Sequence, residues 1–394
     1  MSGQTAHRLE SIDAYRALVM LLMIFVNDTW TLIAIPGWIG HMPAEADGLG
    51  LADVVFPAFL FIVGLSIPLA IRSRLRKGDS RRQIAGHIAL RSLALLIMGV
   101  FHVNLDYYAH TALMPKGVWQ LAITVGFFLV WLDYPNPQSG KAKLMKAAGI
   151  VMLLVLTALF EREGHSRRWL AMEPHWWGIL GLIGWSYFLV SVVFLYTHGK
   201  RWAQGALFAG LVLFNMGAQS DVFDALDPVR EYIWIVGDGA LPALTACGVV
   251  VSQLYLLHKD RLYVFLRKAL WITLALVGSG LLARMEWNVS KIWATPSFSL
   301  LCAGISTAGF AAVVYVADIK RWIAWYRIIR PAGTSTLTCY LLPYIHYALL
   351  GFVGWQLPEI LRTGAVGIMK SLAYALLIII FTGVLERSRI RLKL

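Results

Sequence analysis

Charged residues are scarce in this 394-residue chain, since Asp, Glu, Lys and Arg make up 14% of it and hydrophobic residues make up 58%. Soluble domains usually carry about a quarter of their residues as charged side chains. A mean hydropathy of +0.65 points the same way. The shortage of charge therefore excludes a soluble globular protein and predicts an all-α, polytopic membrane protein built as a helical bundle.

Cysteine is also rare, with Cys247, Cys302 and Cys339 as the three in the chain. All three fall within apolar stretches, where a thiol behaves as a small buried hydrophobic group. The sequence thus predicts neither a disulfide framework nor a metal site. It also has no low-complexity tract, long linker or periodic repeat. We therefore expect a single membrane domain over residues 1–394.

What the chain does contain is a series of apolar stretches of the length that crosses a bilayer as a helix. These stretches lie at residues 15–35, 51–71, 86–105, 117–133, 143–160, 176–197, 202–217, 232–257, 264–284, 297–317, 333–353 and 364–385. They predict eleven or twelve spans, of which 202–217 is the weakest. The first stretch has no small-residue cleavage site after it, which favours a retained helix over a signal peptide.

The basic residues predict the orientation, because cytoplasmic loops are enriched in Lys and Arg. Most of the 35 Lys and Arg residues fall in alternate loops, above all in loop 72–85, if both termini are cytoplasmic. The net charge of +13 then reflects topology and attraction to membrane lipids. A nucleic-acid partner is not expected, because no basic soluble domain exists to bind one. The oligomeric state is open, with a homodimer as one option.

Polar residues concentrate around the outward-facing turn between the first two stretches. His41 follows Pro36, Gly37 and Gly40, and an imidazole with an ordinary pKa near about 6.5 can accept a proton at neutral pH. The alternative is a merely solvated histidine. Asn27 is either a packing amide or a donor to a developing oxyanion.

Three carboxylates flank this turn and are candidate substrate-binding groups: Asp28, Asp47 and Asp53. Asp53 opens the second stretch. It could orient an imidazole or bind substrate, or it could be a carboxylate favoured by the helix dipole.

The cytoplasmic end of the first stretch carries Asp13 and Arg16, which share a helix face. They could form an interfacial ion pair, or Arg16 could bind a phosphate group entering from the cytoplasm. Arg91 likewise could extend to the membrane interface or bind a ligand. Weaker polar candidates are His102, Asn104, Asp106, Gln120, Asp238 and His346.

The order and spacing of these residues resemble the heparan-α-glucosaminide N-acetyltransferase family. The strongest match covers residues 8–70, and weaker echoes follow at 117–120, 291–298 and 331–340. Two departures are Ala17 after Arg16 and the run Gly333-Thr334-Ser335. A chain of this composition resembles a bacterial member without a large lumenal domain.

The resemblance implies that acetyl-CoA donates an acetyl group from the cytoplasm to an amino sugar or glycan on the periplasmic side of an inner membrane. By motif position, His41 and Asn27 are the implied catalytic residues. His41 would act as a general base on the acceptor, or would itself carry the acetyl group. Asp13, Arg16 and Arg91 would bind the donor.

A different class of function also fits many spans with cytoplasmic termini, namely a secondary transporter or exporter of a sugar or lipid-linked sugar. Transporters usually show two related halves. The dense motif lies in residues 8–70 and has no counterpart in the second half, which favours the enzyme. A catalytically inactive assembly partner is the third option.

Overall fold

The computed structural model describes residues 10–164, 171–220, 236–354 and 357–394, with residues 222, 223, 225 and 228. Within these ranges the chain is helical, and its only β pairing is three isolated bridges. The helices are α1 (Glu10–Asp28), α2 (Leu51–Arg76), α3 (Arg81–Asn104), α4 (Lys116–Trp131), α5 (Gly140–Ala158), α6 (Ile179–Tyr196), α7 (Arg201–Ala218), α8 (Ala240–Leu257), α9 (Leu262–Ala283), α10 (Pro296–Val314), α11 (Ala324–Thr334), α12 (Thr336–Val353) and α13 (Gly364–Arg387).

The all-α prediction is confirmed, and each predicted stretch overlaps a helix. Among the described helices, eight are long and apolar enough to cross a membrane. They are α2, α3, α6, α8, α9, α10, α12 and α13. The total of eleven or twelve spans and the cytoplasmic placement of the termini stay predictions, as does the single domain.

The end of the first helix differs from the prediction, and one short helix was not predicted. The first helix ends at Asp28 and not near residue 35, and a 3-10 turn at Thr29–Thr31 follows it. At this helix end the Asp28 carboxylate accepts a hydrogen bond from Lys370 of α13 at 2.6 Å. The short helix α11 was not predicted, because its apolar residues are interrupted by exposed arginines and by Pro331.

The centre of the bundle is the crossing of α2 and α8, which are more buried than the peripheral helices α9 and α13. A Cβ atom added to Gly64 would lie 1.9 Å from the Thr245 carbonyl oxygen, and one added to Gly248 would lie 2.0 Å from that of Phe61. The two backbones therefore touch, as small residues allow between membrane helices. Helix α1 packs beside α2 and α11, and this places its two polar ends on either side of the buried centre.

Candidate functional site

The turn of residues 32–50 folds back over the first residues of α2. The Leu51 backbone N–H donates to the Trp38 carbonyl at 2.7 Å. Gly50 makes this approach feasible, because a Cβ atom there would lie 2.0 Å from the Gly40 carbonyl oxygen. His41 is thereby held above the amino-terminal end of α2.

His41 and Asp53 form a hydrogen-bonded pair. The His41 Nδ1 atom lies 2.7 Å from Asp53 Oδ1. Asp53 Oδ2 accepts the backbone N–H groups of Met42 and Gly50, each at 3.0 Å. The Asp53 side chain is 2% exposed, whereas the His41 side chain is 55% exposed. A carboxylate only accepts, so in the neutral form of the ring this contact places the proton on Nδ1 and leaves a lone pair on Nε2.

Lys291 joins this pair from the segment between α9 and α10. Its Nζ atom lies 3.1 Å from His41 Nδ1 and 3.8 Å from Asp53 Oδ1. Burial lowers the pKa of the Lys291 ammonium, and the charge of Asp53 opposes that shift. Sequence analysis did not place Lys291 in the site. The one sequence feature that could have indicated a role is its position at the start of residues 291–298, a weaker match to the family.

Asp47 fastens the His41 turn to the same segment. Its carboxylate accepts the Val289 backbone N–H and the Arg284 Nε, both at 2.8 Å. Those two hydrogen bonds, the Val289 N–H first, lower the Asp47 pKa. The Asp47 carboxylate, which was expected to bind substrate, thus joins the His41 turn to the segment after α9. This contact brings Lys291, on the same segment, close to His41.

Asn27 and Asp28 lie apart from this group of side chains. Asn27 is half-buried at the end of α1, and among the described residues no hydrogen bond joins it to His41. Asp28 is buried and accepts from Lys370, from Ser371 at 2.5 Å and from the Tyr347 hydroxyl. Its carboxylate therefore points into the contact between α1, α12 and α13.

A cavity of about 590 Å³ lies towards the other end of α1, and Arg16 and Arg91 both line it. Arg16 pairs with Asp13 at 3.0 Å and also donates to Ser66 Oγ at 2.7 Å. Both options considered for Arg16 are thus compatible with the structure, since one side chain pairs with Asp13 and faces the cavity. Asp13 is not in the cavity wall.

Arg91 stacks its guanidinium over the Tyr187 ring at 4.9 Å. Its Nε atom is buried without a hydrogen-bond partner in the described part of the protein. The lining continues along α1 to Met23, one turn before Asn27. The cavity therefore extends from the Arg16 end of α1 towards its Asn27 end.

A second, smaller cavity of about 250 Å³ lies beside Lys291. Its walls come from α2, α6, the start of α8, the segment that carries Lys291, and α10. Asp238, one of the weaker polar candidates, lies in its lining.

Three of the other polar candidates, His102, Gln120 and Asn104, have structural contacts. The His102 ring stacks on Tyr344 at 4.1 Å, and Gln120 donates to the Tyr344 carbonyl at 2.8 Å. Asn104 bridges to the backbone of Glu173. In the ranges that the structure describes, no cluster of His, Cys, Asp and Glu could hold a metal ion.

Comparison with known proteins gives one family and two relatives. The family model described as "Domain of unknown function (DUF5009)" matches residues 8–226. Heparan-alpha-glucosaminide N-acetyltransferase of Mus musculus is 38% identical over 145 residues, which are 34% of this chain and 21% of the mouse protein. The Homo sapiens protein of that name is 39% identical over 104 residues, 25% of this chain and 14% of the human protein. The matches span far less than two thirds of either relative, and they confirm the resemblance found in the sequence.

Proposed function

The chain belongs to the DUF5009 family, and from that membership, the partial likeness to two N-acetyltransferases and the geometry around His41 we propose that it is a membrane-embedded N-acetyltransferase. Its donor is acetyl-CoA and its acceptor is an amino sugar. The observation that carries the proposal is the 2.7 Å contact between His41 Nδ1 and the buried Asp53 carboxylate. This contact leaves the Nε2 lone pair on the exposed side of the ring.

His41 then has two routes to the same product. As a general base, Nε2 accepts the proton of the acceptor amine while the amine nitrogen attacks the acetyl carbon. As a nucleophile, Nε2 takes the acetyl group itself, and the amine removes it in a second step. In either route Asp53 stabilises the positive charge that develops on the imidazole. The CoA sulfur leaves with the electron pair of the broken C–S bond.

Lys291 adds a positive charge beside the pair of His41 and Asp53. Its Nζ atom lies 3.1 Å from His41 Nδ1 and 3.8 Å from Asp53 Oδ1. We infer that Lys291 helps to hold the Asp53 carboxylate and the His41 ring in the arrangement that the transfer requires.

The cavity of about 590 Å³ fits the donor by two features of its walls. Arg16 and Arg91 offer guanidinium groups, which suit phosphate oxygens. Arg91 also has a buried Nε without a partner in the described residues, a group that a phosphate oxygen would satisfy. When bound, acetyl-CoA supplies an activated thioester. Asn27, one turn beyond Met23, would donate to the thioester oxygen as charge develops there.

The residues at the two ends of α1 suggest on which side of the membrane the donor and the acceptor bind. Arg16 and Asn27 lie eleven residues apart, a helical rise of about 16 Å. With the basic end in the cytoplasm, donor entry and acceptor chemistry fall on opposite sides of the membrane. We propose a bacterial inner membrane, with His41 facing the periplasm.

The test is acetyl transfer from radiolabelled acetyl-CoA to glucosamine by the purified protein. His41→Ala should lower the rate by about a hundredfold to ten-thousandfold. His110→Ala is the matched control, because His110 is an exposed histidine in another interhelical segment. Near-normal transfer by His41→Ala would contradict the mechanism. Failure of the wild-type protein both to transfer to any amino sugar and to bind CoA would favour the transporter.

A further inference from the structure

The junction between α11 and α12 lies in the wall of the proposed donor cavity, the cavity of about 590 Å³. Helix α11 ends at Thr334 and α12 begins at Thr336, so Ser335 is the single residue between them. The continuous run from Gly333 to Leu337 lines the cavity. The wall therefore contains the amino-terminal end of α12, a helix of 18 residues.

The Ser335 hydroxyl is a buried polar group in this wall. The residue is 3% exposed, and its Oγ atom has no hydrogen-bond partner in the part of the chain that the structure describes. Its backbone, in contrast, is fully used, since the N–H donates to the Pro331 carbonyl and the carbonyl accepts the Cys339 N–H, each at 2.9 Å. A buried hydroxyl without a partner costs free energy. A ligand in the cavity that accepts hydrogen bonds would remove this cost.

The start of α12 offers further donors next to this hydroxyl. The first backbone N–H groups of a helix have no acceptor within the helix. A serine in front of a helix often accepts one of them through its side chain, but Ser335 makes no such hydrogen bond. Thr336 and Leu337, the first two residues of α12, line the cavity. Uncapped N–H groups and the positive end of the helix dipole together favour an anion at this position.

The charged side chains of the cavity also favour an anion. Its basic lining residues are Arg16, Arg91 and Lys393, and no Asp or Glu among the described residues lines it. Arg16 and Lys393 each pair with a carboxylate outside the lining. Arg16 also lies beside the junction, because its Nη1 atom donates to the Gly333 carbonyl at 3.3 Å. An anion at the junction would therefore meet positive charge and no carboxylate of the wall.

We propose that the α11–α12 junction is a phosphate-binding subsite of the donor cavity. Ser335 Oγ and the backbone N–H groups of Thr336 and Leu337 would donate to the oxygens of one phosphate group of the donor. Hydrogen bonds to such charged oxygens are stronger than those between neutral groups. The inference rests on the proposed function for the identity of the donor. It adds a second phosphate contact, on a different wall from Arg91 of α3.

The experiment measures binding of CoA and of inorganic pyrophosphate to the purified protein by calorimetry, with no acceptor present. Ser335→Ala should weaken the binding of both about tenfold or more, because each loses a hydrogen bond to a charged group. Ser335→Thr keeps the hydroxyl and should retain most of the affinity. Equal affinities of the wild type and Ser335→Ala for both probes would overturn the proposal.

Ser92→Ala is the matched control. Ser92 is also 3% exposed, and its Oγ atom likewise has no partner among the described residues, but it lies within α3 and outside the cavity lining. A serine within a helix can turn its hydroxyl to a carbonyl of the preceding turn. Ser92→Ala should therefore leave CoA and pyrophosphate binding unchanged, and a loss equal to that of Ser335→Ala would contradict the subsite.

Thermal unfolding separates a binding role of Ser335 from a structural one. Without ligand, Ser335→Ala should unfold at the wild-type temperature or above it, because the variant removes a buried hydroxyl that has no protein partner. With CoA present, the unfolding temperature should rise less in Ser335→Ala than in the wild type. A ligand-free Ser335→Ala protein that unfolds well below the wild type would give the serine a structural role and overturn the proposal.

The two probes also separate this inference from the proposed function. If the wild type and Ser335→Ala bind CoA equally, the subsite is wrong and the acetyltransferase proposal stands. If the wild type binds pyrophosphate through Ser335 but does not bind CoA, the anion site stands and the donor assignment is wrong. Displacement of pyrophosphate by short-chain phosphatidylglycerol and not by CoA would identify a lipid headgroup as the ligand and overturn the assignment to the donor.

Discussion

Asp28 of α1 and Lys370 of α13 form an ion pair at 2.6 Å, with the carboxylate side chain 4% exposed and the lysine side chain 17% exposed. Lys370 also donates to Thr31 Oγ1 at 2.9 Å. Both partners lie within helices that pack in the bundle, so each charge depends on the other for compensation. The pair joins the carboxyl-terminal end of α1 to α13.

Removing one partner of this pair should destabilise the protein strongly. Asp28→Ala leaves the Lys370 ammonium buried and unpaired, at a cost of about 3 to 5 kcal/mol. Thermal unfolding in detergent measures the loss. Asp79→Asn removes the half-exposed Arg74–Asp79 pair and should cost less than about 1 kcal/mol. The double variant Asp28→Asn with Lys370→Met should recover part of the loss, and equal effects of Asp28→Ala and Asp79→Asn would contradict this account.

Asp53→Asn should inactivate the protein without unfolding it. An asparagine can turn its N–H₂ group towards His41 Nδ1, which moves the imidazole proton to Nε2 and removes the base. We expect a fall in kcat of about a hundredfold to ten-thousandfold with acetyl-CoA binding unchanged. Steady-state kinetics and a CoA-binding measurement on Asp53→Asn test this expectation. A fall in CoA affinity alone would place Asp53 outside the chemical step.

Replacing Lys291 should slow acetyl transfer without weakening CoA binding. Its Nζ atom lies 3.1 Å from His41 Nδ1 and 3.8 Å from Asp53 Oδ1, so Lys291→Met removes the third member of this group. Lys291→Arg keeps the positive charge and should retain more activity than Lys291→Met. Equal transfer rates for all three proteins would exclude the role given to Lys291.

The stability that Asp47 contributes by joining the His41 turn to Arg284 and Val289 should depend on pH. Its pKa is lowered in the folded protein by the Val289 N–H and by Arg284, so the ionised form contributes stability above the unfolded pKa of about 3.9. That contribution is lost as the pH falls through the lower, folded value. The difference in unfolding temperature between the wild type and Asp47→Asn should thus be constant above about pH 5 and shrink below about pH 4. A difference that grows in acid would contradict it.

Gly50→Ala should abolish activity by displacing the His41 turn. The added methyl group would meet the Gly40 carbonyl oxygen at 2.0 Å, so the backbone must move and His41 must leave Asp53. Gly37→Ala in the same turn is the control, because nothing lies within 4 Å of its Cβ position. Transfer activity with unchanged CoA binding tests this, and an active Gly50→Ala protein would show that the turn tolerates the shift.

Local patterns in the sequence predicted much of this architecture. Apolar stretches located the helices, because a chain in a bilayer must satisfy its backbone hydrogen bonds within each segment. The pairing of His41 with Asp53 was also predictable, since the carboxylate lies only twelve positions after the imidazole and at the start of a helix. These are relationships between neighbours along the chain.

Contacts between distant segments were not predictable in this way. Lys291 reaches His41 across 250 positions of sequence, and Lys370 reaches Asp28 across 342. Spacing along the chain gives no distance for such pairs, which depend on how the helices pack. For the same reason, the sequence did not identify Arg284 as the partner of Asp47.

The backbone contact between α2 and α8 at Gly64 and Gly248 restricts how the protein can move. Helix α2 carries Asp53 at one end and, further along, Ser66, which holds Arg16. Where two backbones touch, no side chain remains that could repack to let one helix slide. We therefore expect the two helices to move as one body, which would keep the distance between Asp53 and the contact of Ser66 with Arg16 constant. In the proposed acetyltransferase, the acetyl group would therefore reach its acceptor without an alternating movement of two halves of the protein.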